Sequence, residues 1–122
     1  MLTFRVDKAR NALFVTLSGV IQKDQIAQKL PEMLKACHEL KARFSIITDL
    51  TLAKDISPTD LKIFGQVAKK IYETFEIKQG IRILGTSVNY IDTLKAIDKT
   101  LENETIHYVY NRMDAMKLLG KK

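Results

Sequence analysis

What most constrains this chain is the way its hydrophobic period switches between two and three-to-four, again and again along its length. Leu2, Phe4 and Val6 alternate with Thr3, Arg5 and Asp7, and Leu13, Val15 and Leu17 alternate with Phe14, Thr16 and Ser18. A period of two places one set of side chains on each face of a pleated strand. The connector Lys8-Ala-Arg-Asn11 has hairpin length, so the two strands are expected to pair antiparallel, one face apolar and the other mostly polar. Gly19 is expected to end the second strand. The period then lengthens through Ile26, Leu30, Met33, Leu34, Cys37 and Leu40, the spacing of one helical face. Asp24 or a neighbour opens that helix. Pro31 cannot donate a backbone hydrogen bond, so a kink or a fresh helix start is expected beside it.

The alternation continues to the end of the chain. Phe44 to Asp49 reads as a short buried strand, and Leu61, Phe64, Val67, Ala68, Ile71 and Phe75 form the apolar face of the next helix. Gly80-Ile-Arg-Ile-Leu-Gly85 is a strand bounded by glycines. Ile91, Leu94, Ile97 and Leu101 mark a third helix, with Ser87 or Asn89 as its cap. Thr105 to Tyr110 is the last strand. Asn111 and Asp114 open a final helix through Met113, Met116 and Leu119, and Gly120 stops it. The order β-β-α-β-α-β-α-β-α predicts an α/β fold with a mixed five-stranded sheet: an N-terminal antiparallel hairpin, then β-α repeats, with about four helices. In such sheets ligands and partners engage the loops at the carboxyl ends of the parallel strands. Here those are Ser18 to Asp24, Asp49 to Ser57, Gly85 to Tyr90, and Tyr110 to Asn111.

Length and charge narrow the function classes. A chain of 122 residues is expected to form one domain, 1-122, able to stand without metals or disulfides. The net charge of +6 is mostly scattered lysine with few aromatics, which does not make the stacking platform or basic stripe of a nucleic-acid binder. The opening residues MLTFRVDKAR lack the apolar region of a signal peptide, and no apolar run approaches the roughly 20 residues that cross a bilayer. With Cys37 as the single cysteine, a cytoplasmic location without membrane anchoring is expected.

The chain resembles the SpoIIAA-like group of STAS domains over essentially its whole length. The stretch "ALFVTLSGVIQKDQIAQKLPEML" resembles that group's strand, glycine, acidic residue and helical proline, here Gly19, Asp24 and Pro31. "IKQGIRILGTS" resembles its short apolar strand ending in glycine, here Gly85. "IHYVYNRMDAMKLL" resembles its last strand and closing helix, with Ala115 among apolar neighbours. The resemblance implies the SpoIIAA-like (STAS) fold and a non-enzymatic regulatory or protein-interaction role, with a protein partner or self-association. Antagonists of this group carry Asp-Leu-Ser and then Asp-Ser-Ser-Gly at a helix start, whose first serine is phosphorylated. This chain keeps Asp49-Leu50-Thr51. An ungapped continuation sets Ser57-Pro58-Thr59-Asp60 against the second motif and puts Pro58, which has no hydroxyl, at the acceptor position. A one-residue slip would place Ser57 there, behind Ile56.

The same residues have a plainer use. Serine at the N-cap, proline at the first helical position and aspartate at the third make a strong helix start. Capping, phosphorylation and ligand contact are thus three uses of one stretch. Asp49, Asp55, Ser57 and Thr59, with Thr86 and Ser87 in the turn after the Gly80–Gly85 strand, are the candidate interaction or ligand-binding residues.

No catalytic set emerges. Cys37 and His38 are adjacent on a helix and point about 100° apart, which does not make a nucleophile–base pair. His107 sits in a strand, and no zinc-ligand spacing occurs. Gly85-Thr-Ser-Val-Asn89 lacks the glycine spacing and lysine of a phosphate loop. Asp49 and Asp55 lack a third group to tune them as acid and base. No enzyme, metal or cofactor is expected. The alternatives are a carrier or sensor of a small apolar, lipid-like ligand, or of a nucleotide at the Gly85–Asn89 turn. The group also resembles lipid-transfer domains in some classifications, and Phe64, Ile71, Phe75, Tyr90, Tyr108 and Tyr110 are the residues that could line an apolar pocket.

Overall fold

The computed structural model describes residues 1–21, 23–84, 90–102 and 104–120, with the side chains of Lys23 and Asp55 set aside. The elements among them are β1 (Leu2–Asp7), β2 (Ala12–Val20), α1 (Lys23–Cys37), β3 (Phe44–Asp55), α2 (Pro58–Thr74), β4 (Ile77–Ile83), α3 (Ile91–Asp98), β5 (Ile106–Val109) and α4 (Arg112–Leu119). The strands form one mixed sheet in the order β1-β2-β3-β4-β5, with β1 antiparallel to β2 and every other pair parallel. A sheet that grows in one direction by crossovers of one hand puts every crossover helix on the same face. So α1, α2 and α3 share a face and bury Leu13, Val15, Leu17, Ile46, Leu50 and Phe64 among a large core. After β5 there is no further strand to reach. Helix α4 folds back over the other face, where Ala12, Phe14, Ile47, Ile81, Ile83 and Ala115 form a small second core.

Four expectations need correction. β2 does not end at Gly19, and β3 does not end at Asp49. The two strands stay paired as far as Val20 and Asp55, whereas the last β3–β4 pair is Asp49 with Ile83. A β2–β3 ribbon therefore projects past β4, and what read as a loop from Asp49 to Ser57 is mostly strand. Two bulges hid it, one between Thr16 and Ser18 and one between Gly19 and Val20. Each slips the register and breaks the period of two. Gly19, at φ +67°, takes the left-handed backbone at the second of them. Pro31 opens no second helix. It lies inside a continuous α1, and both Pro31 and Ala27 are exposed, so the carbonyl that loses its N–H donor faces water. In α4 the buried position is Ala115, while Met113 points out.

Candidate interaction site

The described exposed large hydrophobics all lie toward the carboxyl ends of the parallel strands, along the rim of the sheet. Val20 and Leu52 stand on the projecting ribbon, 61% exposed each. Tyr110, 61% exposed, follows β5, and Met113, 69% exposed, lies in the first turn of α4. Met1, 63% exposed, joins them because β1 runs antiparallel: its carbonyl accepts from the backbone N–H of Ser18. These residues are scattered from one end of the chain to the other, and only the topology gathers them.

The candidate residues divide three ways. Asp49 is half-buried, and its Oδ1 accepts from the backbone N–H and the hydroxyl of Thr51 at 2.9 and 2.6 Å, which secures the first bulge. Asp55 ends the same strand, about 20 Å of extended chain away, so the two aspartates do not meet as an acid–base pair. Ser57 caps α2: its Oγ accepts from the backbone N–H of Asp60 at 3.0 Å, with Pro58 at the first helical position. Ser57 and Thr59 are exposed beside the rim. Thr86 and Ser87, and the proposed caps of α3, fall in residues 85–89, outside the described residues. At the start of α3, Tyr90 makes no side-chain cap and instead donates its hydroxyl to the Leu50 carbonyl at 3.3 Å. Burial, and then the Asp49 charge, raise the Tyr90 pKa.

Sequence reasoning missed the buried charge network beneath α2 and α3. Arg82 and Asp98 are 1% and 6% exposed. Arg82 donates through Nη2 and Nε to the two oxygens of Asp98 at 2.9 and 3.3 Å, and through Nη1 to Thr48 Oγ1 at 2.8 Å. The Tyr108 hydroxyl donates to Asp98 Oδ2 at 2.7 Å. Burial alone would lower the Arg82 pKa, but the Asp98 charge, with help from Tyr72, outweighs it and the shift is upward. The guanidinium stays charged. Burial, then the bond to Asp98, pushes the Tyr108 hydroxyl well above its ordinary range, so it remains a donor. The signal was present in the sequence: an arginine inside the strand Gly80–Gly85 needs a buried carboxylate.

The chemistry available elsewhere is limited. Cys37 is buried, and burial pushes its thiol up to about 11, so at neutral pH it is a protonated, inert core residue. His38 is exposed with its ring edge against Phe75 at 5.1 Å between centroids. Among the described residues no group of three or more His, Cys, Asp or Glu side chains could hold a metal ion. The aromatic residues named for an apolar pocket do not gather around one. Phe64 and Ile71 line a void of about 20 Å³. That is near the size of one water and far from a lipid chain. Tyr108 belongs to the charge network, and Tyr110 is on the rim.

This geometry defines a class of fold. Among the solved structures that share it are an uncharacterized protein of the DUF3478 family with a SpoIIAA-like fold from Shewanella loihica PV-4, and the anti-sigma factor antagonist SpoIIAA in its unphosphorylated form. The first aligns at TM-score 0.69 and 12% identity over 97% of this chain and 93% of that one. The second aligns at TM-score 0.62 and 9% identity over 99% of this chain and 100% of that one. The chain therefore has the SpoIIAA-like fold. No protein-family model and no curated protein matches the sequence. No described helix is long and apolar enough to cross a membrane.

Proposed function

We propose that this is a non-enzymatic regulatory domain that recognises a protein, either a partner or a second copy of itself, through the carboxyl rim of its sheet. The observation that carries the reading is that Met1, Val20, Leu52, Tyr110 and Met113, the exposed large hydrophobics among the described residues, all lie toward that one end. Singly exposed hydrophobics need no explanation, but a gathered set marks a contact surface. Asp49, Asp55, Ser57 and Thr59 border it. The exposed side of α2, with Lys62, Gln66, Lys69 and Lys70, extends it in a basic direction that suits an acidic partner. The reading also assigns the domain to the cytoplasm, since its one cysteine is a buried free thiol that suits a reducing compartment.

The role of SpoIIAA as an anti-sigma factor antagonist supports a regulatory reading. Pro58 at the position matching the group's phosphoacceptor argues that recognition here is not gated by a phosphate at that point. The test is capture of partners, and sedimentation of the chain alone, for the wild type, for Leu52→Asp with Met113→Asp, and for Lys35→Glu. Lys35 is exposed near the end of α1, at the opposite end of the sheet. The rim double variant loses the partner or the self-association that Lys35→Glu keeps. Equal behaviour of all three proteins contradicts the proposal.

A further inference from the structure

On the face that α4 covers only in part, a cleft of about 110 Å³ opens between the β1–β2 hairpin and that helix. Phe14 lines it, and two guanidiniums lie over its ring: Arg5 at 4.2 Å and Arg112 at 5.7 Å from the centroid. Register puts Arg5 there, because it is the cross-strand partner of Phe14. Arg112 is there because the Asn111 side chain accepts from the Asp114 N–H at 2.8 Å and starts α4 at that point. Thr3 and Thr16, partners in the same ladder, add two hydroxyls, and Asp49 adds one carboxylate.

Two like charges around one ring repel, and Asp49 is the one carboxylate among the described residues that lines the cleft with them. Asp7 is 3.9 Å from Arg5 but is held closer by Arg10, at 2.9 Å. Among the described residues no carboxylate lies within 4.0 Å of Arg112.

We propose that this cleft binds a compact monocarboxylate with a short apolar body. The planar guanidinium fork matches a carboxylate in shape and in hydrogen bonding. Two arginines against Asp49 leave a single positive charge, which suits a monoanion and works against a dianionic phosphate ester. Phe14 and Ala115 offer an apolar wall to the rest of the ligand. A cavity of about 150 Å³ takes benzene, so this smaller cleft takes an acid of a few carbons. The site holds whether or not the rim binds a protein.

The test is a titration of the ¹⁵N-labelled full chain, followed by its amide signals, with sodium butyrate, 1-butanol and butylammonium. Butyrate gives saturable shifts at Thr3, Phe14, Thr16 and Arg112, while 1-butanol and butylammonium, with the same tail, do not. Arg5→Gln and Arg112→Gln each weaken butyrate about tenfold, the loss expected for one charge-assisted contact, and methyl phosphate binds more weakly than butyrate. Both arginines are exposed, so their replacement leaves the fold intact. The three probes on the wild type discriminate charge recognition from apolar binding without any substitution. Absence of saturable shifts, equal shifts with butyrate and 1-butanol, or unchanged butyrate affinity in both variants overturns the proposal.

Discussion

The two faces of the sheet are covered differently. Under α1 and α2 the face is closely packed: its core is continuous, its ion pair is buried, and the void between α2 and the sheet is about 20 Å³, whereas an open depression of about 520 Å³ lies between α3 and β5. Under α4 the core is small, and a cleft of about 110 Å³ stays open toward the rim. The lesson is a division of labour. On the proposed reading, stability resides where α1 and α2 cover the sheet, and recognition falls to the face and rim that α4 covers incompletely. Substitutions that break packing or pairing under α1 and α2 should lower stability, whereas those on the open side should leave the protein folded and, on the proposed reading, change only what it binds.

The largest expected effect is at the buried pair. Asp98→Ala leaves the Arg82 charge without its partner in a dry site and should cost about 3–5 kcal/mol in denaturant unfolding. Replacing both residues by apolar side chains, Arg82→Met with Asp98→Leu, should recover most of that loss. A smaller loss, about 1–3 kcal/mol, is expected for Gly80→Ala, whose new Cβ would collide with the Tyr72 hydroxyl. That hydroxyl is buried with no hydrogen-bond partner among the described residues. Tyr72→Phe should therefore be neutral or stabilising by itself and should relieve Gly80→Ala when the two are combined, which a double-mutant cycle reads directly.

At the rim end of the helix-covered face stands the start of α2. Ser57→Ala removes the acceptor for the Asp60 N–H and should cost about 1 kcal/mol, while Ser57→Asp keeps an acceptor and should cost little. Both are measured by thermal or denaturant midpoint. The smallest effect is expected at the rim. Leu52→Ser and Met113→Ser should each change stability by no more than about 0.5 kcal/mol, since both side chains already face water. A large loss at either position would erase the contrast between the two sides.

The fold was legible because its signals are local. The period-two hairpin, the helical stripe of Leu61, Phe64, Val67, Ala68 and Ile71, and the Ser57 and Asn111 caps all lie in contiguous sequence, and each appears in the structure. The length of β3 was not legible. Its two bulges interrupt the alternation that would have announced a strand to Asp55. The partnership of Arg82 with Asp98 joins a strand to a helix across 16 residues, and only the lone arginine hinted at it. Least legible was the rim, whose apolar side chains come from the start, middle and end of the chain. Periodicity cannot see that, because neighbourhood across a sheet is set by strand order.

Recognition through the rim is the central claim, and photocrosslinking tests it most directly. A benzophenone side chain is placed in living cells at position 52 on the ribbon, and separately at position 35 near the far end of α1. Adducts, either with another protein or with a second copy of this chain, should form from position 52 and not from position 35. Adducts from position 35 alone, or the same adducts from both, would contradict it.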